Sequence, residues 1–343
     1  MIQDAIATAV RGRELSPDLA AETMRSVMHG EVTDGQLGGL LAALRTRGET
    51  ASEIAAFARA MEEVARTIRL PATGPLVDTC GTGGDGSGSL NISTAAALVT
   101  AGAGVPVAKH GNRAVSSGCG SADVLEALGV RLPVPPGDEA RVMAEAGIVF
   151  LYAPAHHPAM RYAAAVRREI GIRTVFNILG PLLNPAQADA QLLGVYDPAL
   201  VLPVAGALVT LGRKRAWVVH GSGLDELTTT GESQVAALDR GAIETFTITP
   251  EELGLSRVPV AALRGGGPAE NARKVLEVIG GADGPARDVV LLNAAAAILL
   301  GGRARDLSSG FSAAERAVER GAALDRLERL VRATGGVPCS STT

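Results

Sequence analysis

The sequence predicts a small all-helical domain followed by a larger α/β domain, whose central sheet is mainly parallel and covered by helices. Three observations lead there. No strand signal stands before Leu76, while helix-capping patterns open successive apolar-periodic segments. From residue 76 short apolar runs alternate with helical stretches, the order that builds a parallel sheet buried on both faces. From 268 to 334 the chain is again mostly helical, and 343 residues are enough for two domains.

Each element follows from local chemistry. Ser16 before Pro17 is a capping residue with a first-turn proline, and that helix runs to about His29, where Gly30 can end it. Thr33-x-x-Gln36 and Thr50-x-x-Glu53 are capping boxes that open the next helices. PATGP (71–75) reads as a hinge, which places a helical domain at 1–73 and an α/β domain at 74–343. Strand PLVDTC precedes helix NISTAAALVTAGA, strand VPVAKH precedes helix SADVLEALG, and helix GDEARVMAEAG precedes strand IVFLYA. Helix HPAMRYAAAVRREIG, strand AQLLGVY, helix PALVLPVAGALVTLG and strand AWVVHG complete the alternation. The tail TGGVPCSSTT reads as frayed.

Composition excludes several classes. A formal charge of −4 without a Lys/Arg block argues against general nucleic-acid binding. Aromatics at 3% leave few platforms for stacking bases. Cys80, Cys119 and Cys339 show neither a disulfide framework nor zinc spacing, which points to a reduced, cytoplasmic compartment. The N-terminus MIQDAIATAVRGRELS lacks the apolar core of a signal peptide. The run VVLLNAAAAILL (289–300) is too short to span a bilayer, so no membrane partner is expected.

The informative stretch is VDTCGTGGDGSGSLNIST (77–94). Gly81-Thr82-Gly83-Gly84-Asp85-Gly86 matches a dinucleotide fingerprint, but its context does not. The third glycine should open the helix; here the loop runs on, and Asn91 or Ser93 is the capping candidate. After the next strand comes the basic cluster Lys109-His110-Gly111-Asn112-Arg113 in place of a ribose-binding acid. No Gly-Lys-Ser/Thr follows, so it is not a Walker loop either. The physics of a phosphate cradle remains: glycines admit close approach, and a helix N-terminus favours an anion. A second such loop, 114–121, opens the helix ADVLEALG. Two cradles with Lys109 and Arg113 between them suggest a ligand carrying phosphates at two ends.

Four ordered segments resemble the anthranilate phosphoribosyltransferase family: GTGGDGSGSLNIST (81–94), KHGNRAVSSGCGSADVLEALGV (109–130), HPAMRYAAAVRREIGIRTVFNILGPLLNP (157–185) and HGSGLDELTTTG (220–231). The helical N-terminus and LLNAAAAILL are similar as well, so the resemblance covers nearly the whole chain. It implies transfer of the phosphoribosyl group of 5-phosphoribosyl-1-diphosphate (PRPP) to anthranilate, in tryptophan biosynthesis. It implies a nucleoside phosphorylase/phosphoribosyltransferase-like fold, with helices near 158–183 crossing back to the helical domain, and a homodimer formed through that domain. By matching position, Gly81, Gly84, Asp85, Ser89, Asn91, Ile92, Ser93, Thr94, Lys109, Ser117 and Ser121 would hold PRPP. Gly81, His110, Asn112 and Arg167 would hold anthranilate, and Ser93, Asp225 and Glu226 would bind Mg2+. Ser89 stands where many members have threonine, which keeps the hydroxyl.

The implied chemistry suits these residue types. Displacement at an anomeric carbon by an amine needs no enzymic nucleophile. It needs a stabilised diphosphate leaving group, supplied by Lys109 and a magnesium ion held on hard oxygen ligands. Arg167 offers a planar fork to a carboxylate, with Arg168 the competing candidate, and only the resemblance selects Arg167. His110 is a general base by type, although positioning and charge stabilisation would suffice. His156-His157 reads as packing at a helix start, and Asn177 as part of a loop shaping the acceptor side. A pyrimidine nucleoside phosphorylase is the enzymic alternative, disfavoured by Asp225-Glu226 and the HGN segment. An inactive, nucleic-acid-binding relative is the other, disfavoured by the net charge and by Asn112 and Arg167.

Overall fold

The computed structural model describes residues 1–114 and 118–337. Ser117 and Cys339 therefore lie outside the described residues. The chain opens with α1 (Ile2–Val10), α2 (Pro17–Met28), α3 (Asp34–Arg47) and α4 (Ala51–Glu62). Their starts follow the capping signals. Ser16 Oγ accepts the Leu19 N–H at 3.3 Å, and Thr33/Gln36 and Thr50/Glu53 form reciprocal capping boxes. Gly30, at φ +73°, ends α2 in the left-handed region that glycine tolerates.

The α/β part runs β1 (Val77–Gly81), α5 (Ile92–Gly102), β2 (Val107–Gly111), α6 (Ser121–Ala127), α7 (Glu139–Ala146), β3 (Ile148–Tyr152) and α8 (Ala153–His156). It continues with α9 (Arg161–Ile170), α10 (Val175–Leu182), β4 (Ala190–Gly194), α11 (Val201–Thr210), β5 (Arg215–Gly221), β6 (Ser233–Asp239) and β7 (Ala242–Ile248). Helices α12 (Pro268–Ile279), α13 (Pro285–Leu300), α14 (Leu307–Glu319) and α15 (Ala322–Ala333) follow. Among the described residues no helix is long and apolar enough to cross a membrane.

The sheet order is β3-β2-β1-β4-β5-β6-β7. The first five strands are parallel; β6 and β7 are antiparallel. The alternation of strands and helices did not anticipate this last hairpin. Its signal was Arg240-Gly241, a two-residue turn with both residues at positive φ, +47° and +89°. Asn177 also differs from expectation. It lies inside α10, where its Oδ1 accepts the Thr174 N–H at 3.0 Å, so a helix start replaces the expected loop.

Alternate residues of the central strands face two cores. Leu192, Trp217 and Val219 join one core with α5 and α13–α15. Leu193, Ala216 and Val218 join the other with α1–α4 and α9–α11. Helix α9 packs on α2 and α3, and α10 and α11 pack on α4. The N-terminal helices are thus bound to one face of the sheet through helices contributed by the middle of the chain.

Candidate active site

The chain winds outward from β1 through β2 to β3, then returns to lay β4 on the other side of β1. That reversal leaves a crevice over the carboxyl ends of β1 and β4, where open α/β sheets receive ligands. Gly81 and Gly194 end these strands side by side. Asp225, from the turn after β5, lies across both. A Cβ on Gly194 would collide with the Asp225 carbonyl, and one on Gly81 with its carboxylate.

Four charged or polar side chains converge there from three elements: the turn after β5, α5 and β2. Asp225 Oδ2 accepts the Gly83 N–H at 2.6 Å, and Glu226 Oε1 accepts the Ser93 N–H at 3.1 Å. Lys109 Nζ, on β2, donates to Thr79 O at 2.5 Å and to Ser93 Oγ at 3.2 Å. Burial, then the charge of Asp85, pushes the Asp225 carboxyl up to about 7. Burial, then Asp225, holds Glu226 well above the usual carboxylate range. Burial pulls Lys109 below its usual range, against the opposing pull of Asp78. Two mutually repelling carboxylates and a hydroxyl thus face one ammonium. This is a hard-oxygen donor set with excess negative charge, and it fits a magnesium ion that completes its shell with water and phosphate oxygens.

The glycine loop is shaped by its own side chains. Asp85 accepts the Ser87 N–H at 3.0 Å and the Ser87 hydroxyl at 2.9 Å, and Ser87 Oγ accepts the Ser89 N–H at 3.2 Å. Gly84, at φ +76°, lies beside the Arg173 side chain. Asn91 occupies the position before α5 without capping it; its Nδ2 donates to Cys119 O at 3.1 Å. Ile92 and Thr94 are buried, and Thr94 Oγ1 has no partner. At the second loop, Ser121 Oγ donates to Asn112 O at 3.2 Å. Asn112 is exposed, with its Oδ1 accepting the Arg113 N–H at 2.7 Å. Arg113 corrects the expectation of a free basic cluster. It pairs with Glu126 and Asp123 and caps the Tyr152 ring, so only Lys109 faces the carboxylates.

Near the end of β2, His110 is 6% exposed and meets His157 edge-on with ring centroids 5.2 Å apart. Burial, then His157, holds the His110 imidazole well below its usual range, and burial brings His157 to about 4. Both are therefore neutral rings near pH 7. Arg167 is half-buried on α9, its guanidinium 5.5 Å above the Phe176 ring, whereas Arg168 is exposed. No hydrogen bond or ion pair among the described residues joins Arg167 to His110 or Asn112. The structure gathers Gly81, Ser93, Lys109, Asp225 and Glu226 tightly, whereas the contact shown for Arg167 is with the Phe176 ring.

Several contributors were missed from sequence. Asp78 is fully buried, accepts the His110 N–H at 3.1 Å, and is pushed up to about 6 by burial. Arg173 stacks 4.4 Å above Tyr196, whose N–H donates to Thr82 Oγ1 at 3.0 Å. The run Arg264-Gly265-Gly266-Gly267, before Pro268, forms a third loop against the first. Its signal was a glycine run followed by a first-turn proline.

The fold and crevice define a glycosyltransferase. Residues 3–65 match the model "Glycosyl transferase family, helical bundle domain" and residues 73–324 match "Glycosyl transferase family, a/b domain". A Moorella thermoacetica anthranilate phosphoribosyltransferase is 54% identical over 333 residues, covering 96% of this chain and 98% of that protein. The crystal structure of the Thermus thermophilus enzyme of that name superposes with a TM-score of 0.91 at 49% identity, covering 97% of this chain and 99% of that one. The Saccharomyces cerevisiae enzyme, in complex with PRPP and Mg, does so with a TM-score of 0.89 at 28% identity, covering 97% and 98%. The chain belongs to the anthranilate phosphoribosyltransferase family.

Proposed function

We propose that the crevice transfers the 5-phosphoribosyl group of PRPP to the amine of anthranilate. The products are N-(5-phosphoribosyl)anthranilate and diphosphate, in L-tryptophan biosynthesis. The observation that carries this reading is the convergence of Asp225, Glu226, Ser93 and Lys109 over the β1/β4 switch point. In the reaction the bond from ribose C1 to the diphosphate oxygen breaks, and a bond from C1 to the amine nitrogen forms. The amine then loses its proton.

The chain's own groups position and stabilise. The backbone N–H groups of the glycine loop and of the α5 N-terminus, with Ser89, Asn91, Ser93 and Thr94, receive the diphosphate and ribose. Lys109 adds a fixed positive charge, and Ser117 and Ser121 help to bind the diphosphoryl ribose. Asp225, Glu226 and Ser93 hold magnesium, which neutralises diphosphate charge and makes it a better leaving group. Arg167 grips the anthranilate carboxylate, with Asn112 and His110 beside the acceptor. No protein nucleophile is involved; catalysis is orientation plus charge stabilisation.

The protein works as a cytoplasmic homodimer paired through the helical domain, with the domain boundary near residue 73. Light scattering of the purified chain tests it, and a monomer mass would refute it. The activity test follows anthranilate fluorescence with PRPP and magnesium, omitting each component in turn. Loss of fluorescence with matching diphosphate release only in the complete mixture is the expected result. A folded chain that consumes no anthranilate would overturn the reading.

A further inference from the structure

Three glycine-rich segments meet over the crevice, and one buried side chain ties them together. The third segment, 264–267, pairs with the first: the Leu90 N–H donates to Leu263 O at 3.0 Å and the Gly265 N–H to Gly88 O at 2.7 Å. The approach is close enough that a Cβ on Gly265 would sit 2.6 Å from Asn271 Oδ1 and 2.8 Å from Ser89 O. Asn271, in the first turn of α12, is 1% exposed. Its Oδ1 accepts the Gly266 N–H at 2.7 Å, and its Nδ2 donates to Asn91 Oδ1 at 2.8 Å. Asn91 Nδ2 in turn donates to Cys119 O at 3.1 Å, two residues before Ser121. One relay, Gly266 to Asn271 to Asn91 to Cys119, therefore spans all three loops.

We propose that Asn271 is a positioning residue for PRPP. It fixes the orientation of the Asn91 amide and, through it, the spacing between the two phosphate cradles. The proposal rests on the reading of the crevice as the PRPP site. A carboxamide is required because the position must accept from Gly266 and donate to Asn91 at once. With Oδ1 satisfied by Asn271, Asn91 keeps its amide nitrogen toward the Cys119 carbonyl. A carboxylate at position 271 would favour a flipped Asn91 amide, which sets oxygen against the Cys119 carbonyl. Glycine loops are costly to order, so a fixed frame raises affinity for a phosphate ligand by lowering that cost.

The test uses the full chain and steady-state kinetics with each substrate varied, for wild type, Asn271→Ala, Asn271→Asp, Asn91→Ala and the Asn91→Ala/Asn271→Ala double variant. Loss of a buried hydrogen bond predicts that either Asn271 substitution raises the KM for PRPP about tenfold or more. The anthranilate KM should stay near the wild-type value. The double variant should be no worse for PRPP than Asn91→Ala alone, because both act through one relay. Asn271→Asp keeps the volume and serves where the alanine variant does not fold. A lowered Tm with an unmoved PRPP KM, equal losses for both substrates, or an additive double variant would each overturn the positioning role. Wild-type protein without PRPP-dependent turnover would overturn the reading of the crevice itself, and this proposal with it.

Discussion

Asp225 Oδ2 accepts the Gly83 N–H at 2.6 Å, joining the segment after β5 to the loop after β1 across the intervening strand β4. The contact exists because Gly81 and Gly194, at the ends of β1 and β4, leave no side chain beneath Asp225. One absent Cβ per strand thus brings an acidic pair to a glycine loop more than 140 residues away in sequence.

Gly194→Ala should therefore act on the site as well as on stability. The new Cβ meets backbone, which cannot swing aside, so overpacking of about 1–3 kcal/mol is expected. Because the displaced group carries the acidic pair, turnover should fall with it. Thermal unfolding together with kcat/KM for PRPP checks this; an unchanged kcat/KM would show that Asp225 need not sit there.

Asp225→Asn combined with Glu226→Gln removes the charge that burial leaves poorly compensated. The folded protein should survive, since two repelling carboxylates are relieved. Turnover should disappear or demand far more magnesium. A magnesium titration of initial rates decides it, and an unchanged half-saturation would remove these carboxylates from the metal site.

Arg167→Ala and Arg168→Ala should part company. Arg167 is half-buried over Phe176, and Arg168 is exposed. Loss of a charge-assisted bond to the acceptor carboxylate predicts a rise of about tenfold to a hundredfold in the anthranilate KM for Arg167→Ala. The PRPP KM should hardly move, and Arg168→Ala should resemble wild type. Equal losses for both substrates on replacing Arg167 would count against its role.

His157 sets a pH dependence of stability. Burial lowers its imidazole from 6.5 to about 4, with His110 and His156 beside it. Between those values the unfolded chain binds the proton and the folded chain does not, so stability falls as pH drops through that window. The full effect is about 3 kcal/mol and is complete once both states are protonated. Denaturant unfolding from about pH 7 to about pH 4 should show a shallower slope for His157→Gln than for wild type. Parallel slopes would mean that His157 does not titrate in the native protein in this way.

How much was legible from sequence depended on the range of the signal. Ser16, Thr33 and Thr50 announced three helices because a cap acts within four residues. The first glycine loop was legible as a loop before α5 for the same reason. The hairpin β6–β7 was missed although Arg240-Gly241 marked its turn, because the strand/helix alternation dominated the reading. Arg113 looked like a ligand group until the fold paired it with Glu126, thirteen residues on and one helix away.

By itself the sequence determined the starts of α2, α3 and α4, the five parallel strands, the first glycine loop and the family. Those are properties of short segments, or of many residues matched in order. Only the tertiary structure decided which segments meet. It laid β4 between β1 and β5, brought Asp225 to Gly83, set Asn271 against Asn91, and turned Arg167 inward while Arg168 met solvent. Those choices depend on burying both faces of one twisted sheet at once. No window of a few residues carries that requirement.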